Sequence, residues 1–246
     1  MLAFLKNHPF GVDAYFKTSV VLTFAIPKNQ LENVIPECLT LDTYDDKWAF
    51  VAIALVQTQA LRPTGFPTIL GNDFTLIGYR VFVRYINQAG KRLRGLYILK
   101  SETDKKKMEF LGNLFTHYKY TTTDVQQVET DNDIQISSIR SGLSVTLQKG
   151  DDIVPLPLHS PFNNWKEARR FAGPLPFTFS FDAINKEVLI IEGVRENWIP
   201  TPIKVVSYQT EFFNSMEIEN PVLASAFIVS GIPYHWKKGK IEKWNP

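Results

Sequence analysis

The sequence holds a single cysteine, Cys38, so it can form no intramolecular disulfide and no cysteine-rich zinc site. The setting of that thiol, Ile35 to Leu39, is apolar, and it reads as a small buried hydrophobe rather than a reactive group. Long apolar runs are missing as well. The longest, Trp48 to Val56, is far too short to cross a bilayer as a helix. Met1 to Gly11 carries a lone Lys6 and no sustained apolar stretch, so it reads neither as a signal peptide nor as an anchor. The cytoplasm is the expected compartment, with no membrane partner. Charge of one sign is scarce too: the net charge is +2, and the only block is Lys105, Lys106 and Lys107. Lys237, Lys238, Lys240 and Lys243 interleave with Trp236 and Trp244, but four lysines make a weak electrostatic footprint for nucleic acid. They read as a solvated tail, and no nucleic-acid partner is expected.

Chemical motifs are equally sparse. No glycine-rich loop of the phosphate-cradling kind occurs. His8, His117, His159 and His235 lack metal-ligand spacing, and no serine sits in a nucleophile elbow. Asp42, Asp45 and Asp46, and then Asp131 and Asp133, lie in turn-like sequence where Asp is favoured for backbone hydrogen bonding. Neither a metal nor another cofactor is expected.

What is abundant is bulk for a core. Of 246 residues 44% are apolar and 21% charged, which is ordinary globular usage. Aromatics reach 13%, with 18 Phe against 3 Met, and large flat side chains suit a barrel or sandwich interior. No repeat, low-complexity tract or linker interrupts the chain, and one domain over residues 1–246 is expected.

The periodicity is mostly that of strands. Val20, Leu22, Phe24 and Ile26 alternate over Ser19 to Ile26, and Pro27 stops the run. Asn29 to Val34 predicts one or two helical turns ended by Pro36. Trp48 to Leu61 is apolar on both faces, as in a strand buried on two sides. Arg62 to Gly71 holds too many breakers to be regular. Phe74 to Ile86 and Leu93 to Lys100, joined by a short polar segment with Gly90, form a hairpin signal. Ser101 to Asp104 resembles an acidic capping box, and Met108, Leu111 and Phe115 recur at helical spacing, predicting a helix from about Thr103 to Phe115 with its three lysines on the wet side. Further strands are predicted at Leu143 to Leu147, Phe177 to Phe181, Val188 to Val194, Lys204 to Phe213 and Val222 to Val229. A short helix is predicted from Asn163 to Phe171.

One constellation stands out on the central hairpin. Arg80 sits mid-strand in apolar sequence, where a cation must be paired, bound to an anion or directed into a wet cavity. Gly78 beside it removes a side chain and lets a ligand or another backbone approach. Lys100 closes the next strand after Leu96, Tyr97, Ile98 and Leu99. Two readings stay open: Arg80 pairs with a carboxylate and Lys100 marks a strand end, or both face a ligand.

Val34 to Asp46, Phe74 to Tyr85 and Arg94 to Asp104, followed by His117-Tyr118-Lys119-Tyr120, resemble the bacterial family DUF2071, also called YqjF-like, in the acetoacetate decarboxylase-like superfamily. The resemblance runs from about Tyr15 to Tyr120, with a weaker echo at Trp198 to Pro202. It implies a β-rich α+β fold, a conical (double-split) β-barrel with a central cavity and a few peripheral helices. Relatives have Glu, Asn and Arg two residues apart where this chain has Leu76, Gly78 and Arg80, so only the arginine remains. The decarboxylase forms a Schiff base on the first lysine of a Pro-Lys-Lys, activated by a neighbouring cation. Here Lys100-Ser101 stands in that region without a lysine doublet, which argues against decarboxylation.

The expected function is a barrel cavity binding a small organic ligand, a carboxylate being the class Arg80 suits, with contacts from Arg80, Gly78, Tyr97 and Lys100. If the protein is an enzyme, a lyase-like or keto-acid reaction with Lys100 as the catalytic candidate is implied. The alternative is a non-catalytic interaction or scaffold protein whose barrel is filled by its own side chains.

Overall fold

The structure, a computed structural model, describes residues 3–150, 153–173 and 175–245. Alternating β-branched and aromatic residues make fifteen strands among them: β1 (Val12–Pro27), β2 (Thr40–Leu41), β3 (Trp48–Pro63), β4 (Asn72–Ile86), β5 (Arg92–Thr103), β6 (Tyr120–Thr122), β7 (Gln126–Glu129), β8 (Asp133–Ser138), β9 (Leu143–Gln148), β10 (Phe177–Asp182), β11 (Glu187–Arg195), β12 (Thr201–Pro202), β13 (Lys204–Thr210), β14 (Val222–Trp236) and β15 (Lys240–Lys243). Helices are few and short: α1 (Lys106–Phe115), α2 (Trp165–Ala172) and α3 (Phe212–Ser215). No helix of the described residues is long and apolar enough to cross a membrane.

The strands form two sheets. In the larger, β14, β1, β3, β4, β5, β10 and β11 are hydrogen-bonded in that order, and Gly193–Arg195 of β11 then pair with Trp236–Tyr234 of β14. The pairings therefore return to their start as a ring, antiparallel except between β5 and β10. The smaller sheet, in the order β13-β9-β8-β7, packs against the ring from outside. Its Ile136, Val145 and Leu147 share one apolar cluster with Leu22, Ile53, Ile77, Tyr79 and Val81 of the ring. Alternation sends the intervening residues, such as Ala52, Ala54 and Val56, to the inner face, where they join other clusters. This two-sided burial is why β3 is apolar throughout Ala49 to Val56.

Several expected boundaries move, each because long-range pairing overrides a local signal. β1 begins at Val12, not Ser19, because β14 continues opposite it as far as Trp236. For the same reason β14 does not stop at Val229. The residues of the supposed capping box belong to β5: Ser101–Thr103 pair with β4 on one side and β6 on the other. Asp104 accepts from the Thr75 backbone N–H at 2.8 Å, so α1 starts at Lys106 with no side-chain cap. β13 ends at Thr210, and Phe212 and Phe213 turn into α3. β7 and β8 were not anticipated, and Asp131 and Asp133 lie in the turn between them, where the Asp133 carbonyl accepts from the Thr130 N–H at 2.9 Å and Asp133 opens β8. The C-terminal lysines are not a solvated tail. β15 pairs with β11, and Lys237, Lys240 and Lys243 reach Glu192, Glu242 and Glu187.

Local signals hold elsewhere. Asn164 caps α2 by accepting from the Glu167 N–H at 2.9 Å. Cys38 is buried, and that burial pushes its thiol up to about 12.

Candidate functional site

Register identifies the residues that share a level on the inner face. Ser225 of β14 lies opposite Thr23 of β1, Thr23 opposite Ala52 of β3, Ala52 opposite Arg80 of β4, and Arg80 opposite Ile98 of β5. Three of these five carry buried polar atoms with no hydrogen-bond partner: Ser225 Oγ, Thr23 Oγ1 and Arg80 Nε. Unsatisfied buried groups are rare because each forfeits its hydration, so three on one row mark it as unusual.

Arg80 lies deep in the protein and yet keeps part of its surface accessible. Its side chain runs along the strand above Gly78, where a Cβ would come within 2.9 Å of Nε and Nη2. Glycine is thus what lets the guanidinium lie flat. Among the described residues the ionisable groups that act on it most are Tyr234, Tyr120, Tyr118 and Arg195, none of them a carboxylate. Burial lowers its pKa, but an arginine starts so high that it remains a cation at neutral pH.

The tyrosines are placed from outside the central hairpin. Asn113 of α1 brackets Tyr120, donating to its carbonyl and accepting from its N–H, both at 2.8 Å. Gly112 leaves room for the Tyr120 ring, which a Cβ would meet at 2.3 Å. Burial pushes the Tyr120 hydroxyl up to about 12 and raises that of Tyr118, so both are protonated donors near Arg80. Tyr234 packs on Phe16 at 4.7 Å and faces Arg195 across the β11–β14 pairing. Arg195 itself lies over the rings of Trp198 (4.5 Å) and Tyr234 (5.5 Å).

Of the four residues expected to face a ligand, Gly78 and Arg80 share the inner face, while Tyr97 and Lys100 lie on the outer one. For Lys100 the cause is a bulge. Tyr79 pairs with Lys100 but Arg80 with Ile98, so Leu99 is an extra residue in β5. Without it, simple alternation would put Lys100 beside Gly78; one inserted residue turns it to the opposite face. There Lys100 pairs with the buried Glu102 at 2.7 Å, and Glu102 also accepts from the Tyr79 hydroxyl at 3.2 Å. Sequence reading passed over Thr23, Ser225, Tyr234 and Arg195, which carry no local signal. Tyr118 and Tyr120 stood within a family-like stretch but with no role attached.

Toward one end of the ring the inner face is filled. Phe50 packs against Phe82, Phe162 and Phe171 at 5.8, 5.5 and 4.9 Å. Asp42, read from sequence as a turn residue, is fully buried there and receives Arg84 Nε at 2.5 Å and Arg94 Nε at 2.6 Å. Arg94 also donates to the Phe171 carbonyl, tying α2 to the hairpin. Surface grooves of about 390 Å³, around Phe213 and Ile218, and 630 Å³, around Phe110, do not touch Arg80. Among the described residues no group of three or more His, Cys, Asp or Glu is placed to hold a metal ion.

His8 is a further buried group with an unpartnered atom, Nε2. Burial, and then the charge of His235, lower its pKa to about 4. A histidine whose folded value lies below its unfolded 6.5 is bound by more protons when unfolded, so stability falls as pH drops from about 6.5 toward 4. His8→Asn, which tolerates the local φ of 53°, is expected to flatten that acid limb in urea midpoints measured at pH 7 and 4.5. An unchanged slope would show that His8 does not contribute.

No curated protein matches this chain in sequence. Solved structures of similar fold include acetoacetate decarboxylase from Legionella pneumophila, with 12% identity, a TM-score of 0.64 and coverage of 95% of this chain and 88% of that one. An acetoacetate decarboxylase-like enzyme from Sphingomonas wittichii RW1 has 9% identity, a TM-score of 0.59 and coverage of 97% and 94%. The enduracididine biosynthesis enzyme MppR, solved in complex with pyruvate, has 8% identity, a TM-score of 0.54 and coverage of 95% and 90%. At such identities the likeness establishes an acetoacetate decarboxylase-like fold and nothing finer. In sequence, residues 14–233 match the uncharacterised conserved family DUF2071, and the chain belongs to that family.

Proposed function

We propose that the ring is a conical barrel, filled at one end by aromatic side chains, whose remaining interior binds a small organic anion at Arg80. The observation that carries this reading is a deep guanidinium with an unpartnered Nε and, among the described residues, no carboxylate paired with it. An uncompensated buried cation is costly, and an anionic ligand would offset that cost. A side chain that is deep and still accessible borders a space rather than packed atoms. Thr23 Oγ1 and Ser225 Oγ on the same row are fully buried and also lack a partner, so this level of the ring is under-satisfied as a whole. MppR, of similar fold, holds pyruvate, itself a small carboxylate. Schiff-base catalysis is not part of the proposal, because the inner positions of β5 are Leu96, Ile98 and Ser101, none of them an amine. We also treat residues 1–246 as one folding unit, since one apolar cluster joins both sheets.

Thermal shift with acetate, pyruvate, acetoacetate and benzoate tests the reading. A ligand at 100 times its Kd stabilises by about 2.7 kcal/mol, a shift readily seen. Arg80→Met is expected to lose that shift while melting at or above the wild type, because an unpartnered cation has been removed. Gly78→Ala should fold normally, since only the far end of Arg80 has to move, and should bind the same ligands more weakly. Arg80→Met that is destabilised but keeps the ligand response would show a structural arginine instead. The aromatic filling favours a second reading, a side-chain-filled barrel serving as an interaction or scaffold protein; no carboxylate would then shift the wild type.

A further inference from the structure

Arg80 and Arg195 stand on opposite walls of the ring. β4 and β11 are separated by β5 and β10 one way round, and by β3, β1 and β14 the other. Both arginines project from the inner face: Arg195 pairs in register with Tyr234, which packs with Ala54, Val56 and Leu76 of the face that bears Arg80. None of the ion pairs among the described residues includes either of them. Arg195 donates to the Leu175 carbonyl at 3.2 Å and lies between two aromatic rings, so its orientation is set while most of its donors remain unassigned. The charge of Arg195 is among the influences that lower the pKa of Arg80. Like charges on facing walls of the ring, neither of them in an ion pair among the described residues, match a ligand that carries negative charge at both ends.

Resting on the Arg80 reading, we propose that the ligand is a small dianion, a dicarboxylate, bridging Arg80 and Arg195. One carboxylate lies at Arg80, where the Tyr118 and Tyr120 hydroxyls are donors, and the other at Arg195. The carbon body between them meets the apolar wall of Ala54, Val56 and Tyr234. Arginine suits both ends, because its planar fork of N–H donors matches a carboxylate bidentately.

The experiment is calorimetric titration of the full chain at constant ionic strength with propionate, malonate, succinate, glutarate and inorganic phosphate. One dicarboxylate is expected to bind about 10- to 100-fold more tightly than propionate, the worth of one further charge-assisted contact. The preference should depend on chain length, since the two arginines are fixed in place. Inorganic phosphate, which has a single anionic centre, should resemble propionate. In Arg195→Gln the ratio of dicarboxylate to propionate affinity should fall toward one, and Arg195→Lys should keep part of it. Should Arg195→Gln fail to fold, the wild-type length series and Arg195→Lys decide. Equal affinity for propionate and every dicarboxylate, with Arg80→Met abolishing both, would overturn the bridge and leave the Arg80 reading standing. Absence of binding by any of the anions would overturn both.

Discussion

Asp42→Ala is expected to destabilise the protein by about 3–5 kcal/mol, the usual cost of breaking a buried ion pair by removing one partner. The carboxylate is wholly buried and serves two arginines at once. Its loss leaves Arg84 and Arg94 as like charges directly opposite each other across the β4–β5 pairing, which is itself unfavourable. The arginine side chains keep 30% and 37% exposure, so they can turn toward water, which places the cost near the lower figure. Arg84→Met should cost less, because Asp42 then retains Arg94. Replacing all three by apolar residues of similar volume should cost least, since no charge is left unpaired. Urea unfolding at pH 7 measures the series. A loss below about 1 kcal/mol for Asp42→Ala would mean that the triad is as weak as a surface pair.

Phe50→Ala is expected to cost about 3–5 kcal/mol through lost transfer energy and the cavity left behind. Phe50 is fully buried, and its three aromatic neighbours come from β4, from the segment before α2 and from α2 itself. None of them can close the gap alone, because Phe82 is held by the pairings of β4, Phe171 by α2, and the Phe162 N–H by the Ser160 hydroxyl. The loss should also loosen α2, so backbone amides of residues 168–172 should exchange faster with deuterium than those of β4. Uniform exchange across both elements, or a cost below about 1.5 kcal/mol, would show that the cluster repacks freely. Phe50→Leu, which keeps most of the volume, should lie close to the wild type.

The amino-acid sequence by itself determined much of the strand inventory and two members of the candidate site, Gly78 and Arg80. The hairpin read from Phe74 to Ile86 and Leu93 to Lys100 is β4 and β5 within a few residues, because period-two alternation and a Gly-containing turn are local properties. The short helix read from Asn163 to Phe171 is α2 within two residues for the same reason. Arg80 was legible because a lone cation in an apolar strand conflicts with burial wherever the strand goes. The resemblance carried by Arg94 to Asp104 and the other stretches pointed to the family that residues 14–233 confirm.

Register and closure were decided only by the tertiary structure. A single extra residue, Leu99, sends Lys100 to Glu102 rather than to the side of Arg80, and nothing in Leu96 to Ser101 announces it. Asp42 looked like a turn residue because its two arginines lie more than forty positions away in sequence. Thr23 and Ser225 share a row with Arg80 through pairings of strands far apart along the chain, and Arg195 meets Tyr234 only because β11 meets β14 again and completes the ring. Alternation tells which residues share a face of one strand. Which face is inside, and what stands opposite, depends on pairings between distant segments, and no local propensity encodes those.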